Sequence, residues 1–176
     1  SMGVLGKEAT QTGMPPLYEE KDVFDAMRYW SKVVTYDEVF TITTEEGEAT
    51  VTLRDAGHIL GSAMVEIFYK GKKLVFTGDL GNTPSPLMKD TVPLKDVDYL
   101  VIESVYGDRN HKDKDRKIEI FKEAITSTVN KGGNVLIPAF SIERTQEVLL
   151  AFNELVESKQ IPEIPVYLDS PLGINI

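Results

Sequence analysis

The chain has no cysteine and only two histidines among its 176 residues. Without cysteine it cannot form disulfides, thiolate metal sites or a thiol nucleophile, and this composition fits a reducing cytoplasm. No apolar run approaches the roughly 20 residues that a membrane-spanning helix needs, so no membrane partner is expected. Basic residues are also in deficit. The net charge of −9 argues against nucleic-acid binding through bulk electrostatics, but it leaves room for a local cation site.

The remaining composition, 41% hydrophobic and 27% charged, is that of an ordinary soluble globular protein. Three regions are predicted from the change of pattern along the chain. Residues 1–16 are read as a tag and linker, because Ser1-Met2-Gly3 resembles the remnant of a cloning tag and the following segment lacks periodicity. Residues 17–113 are rich in predicted strands, and residues 114–176 alternate strands with helices. We expect the chain to be an excised piece of a longer protein.

The first part predicts one helix and an antiparallel sheet. Apolar residues at helical spacing behind an acidic first turn indicate a helix over about 18–31. Alternating β-branched runs around EEGE and around Gly-Lys-Lys indicate two hairpins. The predicted strands are a short one at 33–36, then 40–44 with 49–55, and 62–70 with 74–79.

The second part predicts a parallel arrangement with crossover helices. The run VDYLVIES (97–104) is continuously apolar, as expected of a strand buried on both faces. After a loop, helices over 114–130 and 141–159 alternate with two further apolar strands at 134–140 and 165–170. Strand, helix, strand, helix, strand is typical of a parallel α/β unit.

His58 and Asp79 occupy matching positions, each at the end of a predicted strand. A single histidine between glycines is more often a turn residue than a ligand, and Thr-Gly-Asp is often only a turn. Together, however, imidazole and carboxylate are the usual non-thiol ligands of zinc. A catalytic zinc normally has three protein ligands, and the other histidine, His111, lies in a polar segment that we expect to be solvated. The residues alone therefore indicate half of a metal site.

Five segments in order and spacing carry a resemblance: DAGHILGSA, LVFTGDLG, LVIESVYGDRNH, VLIPAFSIERTQEVL and VYLDSP. From about residue 16 to residue 176 the chain resembles the β-CASP branch of the metallo-β-lactamase fold, a branch of nucleic-acid-processing nucleases that includes ribonuclease J and the 3′-end cleavage endonuclease. The resemblance implies an α/β fold that leans to α+β. Residues 17–113 would form the second part of the αββα sandwich, with antiparallel strands. Residues 114–176 would begin the parallel α/β β-CASP insertion.

The resemblance also implies a set of site residues. His58 matches a histidine that ligates one zinc, and Asp79 matches an aspartate that bridges two. Glu103 matches an acidic motif residue that orients a histidine from later in the chain, so Asp79 and Glu103 are the expected catalytic residues. The family's HxHxDH signature is absent from this sequence. We therefore expect two zinc ions in the intact parent, and neither strong zinc binding nor nuclease activity in the chain alone.

A phosphate contact is predicted at Ser141 and Arg144, just before and within the first turn of the last predicted helix. Serine is a good N-cap, and a helix N-terminus attracts phosphate. Capping alone explains Ser141 equally well. Near Glu103, Tyr106, Asp108 and Arg109 would shape the cleft, or Asp108 and Arg109 would form a local ion pair.

The function implied for the intact parent is zinc-dependent hydrolysis of phosphodiester bonds, with RNA as the expected substrate and DNA as the alternative. Its context would be RNA processing or decay in the cytoplasm, as a homodimer or a subunit of a complex. Two other readings stay open. One is a catalytically dead β-CASP scaffold subunit of an RNA-processing complex. The other is a hydrolase of the same superfamily that acts on a small ester.

Overall fold

The computed structural model describes residues 11–30, 32–110, 112–113, 116–170 and 173–175. The chain forms two compact units, Ser1–Thr35 and Tyr36–Ile176. In the part of the chain described, no helix has the length and apolar character needed to cross a lipid bilayer. The division predicted at residues 16 and 113 stays a prediction.

The first unit contains helix α1, Glu20–Met27, which is shorter than the predicted 18–31. Glu19 precedes it in an extended conformation, and its backbone N–H donates to Asp22 Oδ2 over 2.7 Å. This contact completes a capping box, and the acidic first turn complements the helix dipole. No residue of α1 is buried within the unit. The strand predicted at 33–36 does not form, and Ser31 lies outside the described residues.

The second unit begins with a five-stranded sheet in which neighbouring strands follow chain order. The strands are β1 (Val39–Thr44), β2 (Gly47–Asp55), β3 (Ala63–Tyr69), β4 (Lys72–Phe76) and β5 (Tyr99–Val101). β1 to β4 are antiparallel, so both predicted hairpins are confirmed. β5 is the outermost strand of the sheet and pairs parallel to β4. It is much shorter than the predicted 97–104, and its residues are exposed rather than buried on both faces.

The two faces of the sheet differ in composition. The register aligns Val51 with Ile67 and Leu74, and Leu53 with Val65 and Phe76, so one face is apolar across three strands. On the opposite face, Met64 and Val75 are fully buried, whereas Arg54 binds Glu66 through Nε at 2.9 Å. Period-two alternation is therefore kept through the hairpins.

Two helices follow the sheet: α2 (Lys117–Val129) and α3 (Arg144–Glu157). They share a small core in which Ile125, Leu155 and Ile161 are buried and five further apolar side chains pack around them. A 3₁₀ turn, Gly173–Asn175, lies near the end of the chain. Both predicted helices are confirmed, with boundaries one to three residues inside those expected; residues 114 and 115 lie outside the described residues.

The prediction of strands at 134–140 and 165–170 is wrong, because neither segment forms a strand. Leu136 is 93% exposed and Tyr167 is 87% exposed, so these apolar runs are not buried either. A strand is stable only when its backbone groups pair with a neighbour, and an apolar run cannot specify that neighbour. The fold class itself is confirmed as an α+β chain with a mixed sheet, consistent with part of the metallo-β-lactamase and β-CASP fold.

Candidate metal and catalytic site

The predicted site residues converge because of strand direction. β2 and β4 each run antiparallel to β3, and β5 runs parallel to β4, so the carboxyl ends of β2, β4 and β5 meet at one edge of the sheet. His58 follows the end of β2 at Asp55, Asp79 follows the end of β4 at Phe76, and Glu103 follows the end of β5 at Val101. All three side chains are thus carried by loops at the same edge.

His58 and Asp79 face each other across this edge. The distance from His58 Nε2 to Asp79 Oδ2 is 3.9 Å, and the two side chains are 43% and 76% exposed. Zinc lies about 2.0–2.2 Å from nitrogen and oxygen ligands, so one ion between these atoms would reach both. Among the described residues, no group of three or more His, Cys, Asp and Glu side chains is arranged to hold a metal ion. The residues present therefore fit part of a zinc coordination sphere.

The loop that carries His58 is held by its own hydrogen bonds. The Ser62 hydroxyl accepts the backbone N–H groups of His58 and Ile59, at 3.1 and 3.2 Å. Gly57 adopts a left-handed conformation (φ +64°), and its N–H donates to Asp55 Oδ1 over 2.8 Å. A loop tied down at these points presents the imidazole in a defined direction.

Gly81 joins the His58 loop to the Asp79 loop. Its backbone N–H donates to the Ala56 carbonyl over 2.8 Å. A Cβ at Gly81 would lie 1.8 Å from the Gly57 carbonyl oxygen and 2.9 Å from the His58 backbone nitrogen. Only a residue without a side chain allows the two loops to approach this closely.

Glu103 holds the backbone beside Asp79. Its Oε1 accepts the Leu80 N–H over 2.8 Å, and its own N–H donates to the hydroxyl of Thr77 over 3.2 Å. Thr77 is 1% exposed, and its N–H donates to the Val101 carbonyl over 3.0 Å. The ends of β4 and β5 are therefore linked through side chains as well as through the strand ladder.

Glu143 is a residue near the site that the sequence did not indicate. It precedes α3 in the left-handed region (φ +66°), and its Oε2 is buried with no hydrogen-bond partner among the residues that the structure describes. Burial raises the pKa of the Glu143 carboxyl, as does the Glu147 carboxylate, whereas His58 and Arg144 lower it. This electrostatic effect places Glu143 in the neighbourhood of His58. No sequence pattern predicts a glutamate with a left-handed backbone.

Replacing Glu143 with glutamine should make the folded chain more stable at neutral pH. Folding raises the pKa of the Glu143 carboxyl above its ordinary value of 4.5. The protonated carboxyl therefore stabilises the folded state at pH values below 4.5, and this stabilisation is lost as the pH rises through the pKa of the folded state. We expect the melting temperature of Glu143→Gln to exceed that of the wild type by a few degrees at about pH 7.5, with the difference vanishing near about pH 4.

The matched control is Glu154→Gln, on the exposed face of the same helix, which should change the melting temperature little at either pH. A gain for Glu143→Gln that is the same at both pH values would contradict the electrostatic explanation.

The alternative explanation, that Ser141 only caps the last helix, is wrong, and its phosphate contact stays a prediction. α3 begins at Arg144 with Glu143 in the N-cap position, and in the described part of the chain no side chain makes a capping hydrogen bond to it. The strained backbone at Glu143 and the hydrogen bond from Thr145 Oγ1 to the Phe140 carbonyl (2.6 Å) turn the chain into the helix three residues later than expected. Arg144 binds Glu147 at 2.6 Å, so part of its charge is already compensated.

The segment after Glu103 is exposed and internally paired. Asp108 and Arg109 form the local ion pair at 3.8 Å, and the Arg109 guanidinium lies 5.3 Å from the centre of the Tyr106 ring. A cation over an aromatic face is attracted by the ring quadrupole. His111 lies outside the described residues.

An imidazole and two carboxylates thus lie in the loops that follow β2, β4 and β5 at the same edge of the sheet. The sequence is 32% identical over 172 residues to ribonuclease TTHA0252 of Thermus thermophilus. The aligned region covers 98% of this chain and 38% of the relative. It is 34% identical over 163 residues to an RNase J-like protein of Methanocaldococcus jannaschii (88% and 37%). It is also 34% identical over 161 residues to endoribonuclease YSH1 of Yarrowia lipolytica (90% and 19%).

No family model matches the chain. The identity to these relatives nevertheless extends over most of the chain, and it agrees with the resemblance to the β-CASP branch of the metallo-β-lactamase fold. The chain spans less than two fifths of the length of the relatives described.

Proposed function

We propose that the chain is part of a zinc-dependent nuclease that hydrolyses phosphodiester bonds in RNA. The observation that carries the proposal is the 3.9 Å approach of His58 Nε2 to Asp79 Oδ2 at the edge of the sheet. The relatives named ribonuclease and endoribonuclease support hydrolysis of RNA as the reaction class.

In this proposal each residue of the chain has a separate task. His58 and Asp79 would hold zinc through a nitrogen and an oxygen ligand. Glu103 keeps the backbone beside Asp79 in place through the Leu80 N–H. Zinc bound there would activate water for attack on phosphorus and stabilise the negative charge that develops.

Ser141 and Arg144 remain the proposed phosphate contacts. The 60% exposure of the Arg144 side chain leaves it accessible, but its ion pair with Glu147 would have to be shared with a phosphate. A cytoplasmic location and assembly as a homodimer or complex subunit are further proposals. Assembly as a complex subunit is supported by the 35% identity, over 131 residues, to a cleavage and polyadenylation specificity factor subunit of Dictyostelium discoideum.

The full-length parent protein provides the test. We expect it to hydrolyse single-stranded RNA, to lose at least about a hundredfold of its rate when zinc is removed by a chelator, and to recover when zinc is restored. This chain alone, treated identically, should release little product and retain little zinc after dialysis, because it supplies too few ligands.

Three outcomes would overturn the proposal. RNA hydrolysis that survives complete metal removal would exclude zinc chemistry. RNA binding without cleavage by the zinc-loaded parent would identify a catalytically dead scaffold. Hydrolysis of small esters but not of RNA would identify the alternative small-ester hydrolase. Separately, a DNA strand of the same sequence tests whether RNA or DNA is the substrate.

A further inference from the structure

The buried hydroxyl of Thr77 connects the two strand ends that carry the carboxylates of the site. Thr77 Oγ1 donates to the Gly78 carbonyl over 2.8 Å and accepts the Glu103 N–H over 3.2 Å. Because Thr77 is 1% exposed, water cannot readily replace these bonds. One hydroxyl therefore satisfies a polar group just before Asp79 and another on Glu103 itself.

Glu103 closes the connection on the other side of Asp79. Its Oε1 accepts the Leu80 N–H over 2.8 Å, so the residues before and after Asp79 are both tied to the end of β5. The chain of contacts runs from the Gly78 carbonyl through Thr77 and Glu103 to the Leu80 N–H. Asp79 forms the exposed tip of this closed loop, with its side chain 76% exposed.

We propose that Thr77 is a positioning residue, whose hydroxyl sets the direction of the Asp79 carboxylate and its separation from Glu103. The proposal rests on the proposed function only in taking Asp79 and Glu103 as site residues. A buried valine has nearly the same shape but offers neither a donor nor an acceptor, so Thr77→Val isolates the hydroxyl. Thr77→Ser keeps the hydroxyl and serves as the conservative rescue.

The test is amide hydrogen exchange of this chain, measured by NMR without metal or RNA. In Thr77→Val, the amides of Glu103 and Leu80 should exchange about tenfold faster than in the wild type, because both lose the arrangement that holds them. Thr77→Ser should restore most of the protection. Thr52→Val, a buried threonine within β2, is the matched control and should leave both amides unchanged.

The amide of Ile125, in the helical core, monitors global stability and should exchange at the wild-type rate after correction for any change in melting temperature. The proposal is overturned if Leu80 keeps its protection in Thr77→Val, or if Thr77→Ser exchanges as fast as Thr77→Val. It is also overturned if Ile125 accelerates as much as Leu80, since the hydroxyl would then act only on overall stability.

In the full-length parent, Thr77→Val should lower kcat about tenfold with KM little changed, and Thr77→Ser should restore kcat. The exchange experiment needs no catalysis, so the two hypotheses fail separately. A parent without nuclease activity would refute the proposed function and leave the exchange result standing. An active parent in which Thr77→Val changes neither kcat nor Leu80 exchange would refute only the assignment of Thr77.

Discussion

Replacing Asp79 with alanine in the full-length parent is expected to reduce RNA hydrolysis by more than about a hundredfold and to lower the bound zinc. Loss of a group that merely supports a ligand costs about 10- to 100-fold in metal affinity or activity, so loss of a proposed ligand itself should cost more. The 3.9 Å distance from its Oδ2 to His58 Nε2 makes Asp79 the carboxylate best placed to share a cation with the imidazole. Steady-state rates and elemental analysis of the dialysed protein measure both effects.

Asp98→Ala is the matched control for this experiment. Asp98 precedes β5 at the opposite end from Glu103, and its carboxylate binds Lys72 Nζ over 2.6 Å. The same carboxylate accepts the Lys73 N–H over 2.9 Å, so its loss should lower stability but leave zinc content unchanged. If Asp79→Ala retained both its rate and its zinc, the assignment of the metal site would be wrong.

Replacing Gly81 with alanine is expected to destabilise this chain by about 3 kcal/mol or more. The new Cβ would lie 1.8 Å from the Gly57 carbonyl oxygen, and both partners are backbone, so the two loops must separate. Separation would also break the Gly81 N–H to Ala56 carbonyl bond and move His58 away from Asp79. Urea denaturation, monitored by circular dichroism, gives the change in the free energy of unfolding.

Gly61→Ala provides the contrast, because it has a left-handed backbone, which Gly81 does not, but no clash. Gly61 has φ +83°, and a Cβ there would meet nothing within 4 Å. Its substitution should cost only the strain of a left-handed backbone, about 1–2 kcal/mol. Equal losses for the two variants would show that the loops can separate freely, and the tight junction at Gly81 would then have no energetic importance.

The hairpins and the positions of His58 and Asp79 could be predicted because they depend on local sequence. Alternating β-branched residues specify a half-buried strand, and Gly-Lys-Lys specifies a tight connection. Once three antiparallel strands are assigned, the loops after the first and third must lie at the same edge. The approach of His58 to Asp79 is therefore a consequence of strand order, and the structure agrees with it.

The two strands predicted after α2 failed for the opposite reason. Residues 134–140 and 165–170 have the composition of buried strands, but Leu136 and Tyr167 are exposed. Composition reports how much apolar surface a segment could bury, whereas pairing requires a neighbour with free backbone groups. The late start of α3 has a similar origin, because the left-handed backbone at Glu143 is not favoured by its residue type.

The residues alone specify a strand-rich segment followed by helices, with an imidazole and a carboxylate at matching strand ends. Tertiary structure decided which groups hold those ends together: the hydroxyl of Thr77, the carboxylate of Glu103 and the missing side chain at Gly81. The physical reason is range. Periodicity and turn chemistry act between near neighbours in the chain, whereas the contact between Leu80 and Glu103 spans 23 positions and exists only once β4 and β5 have paired.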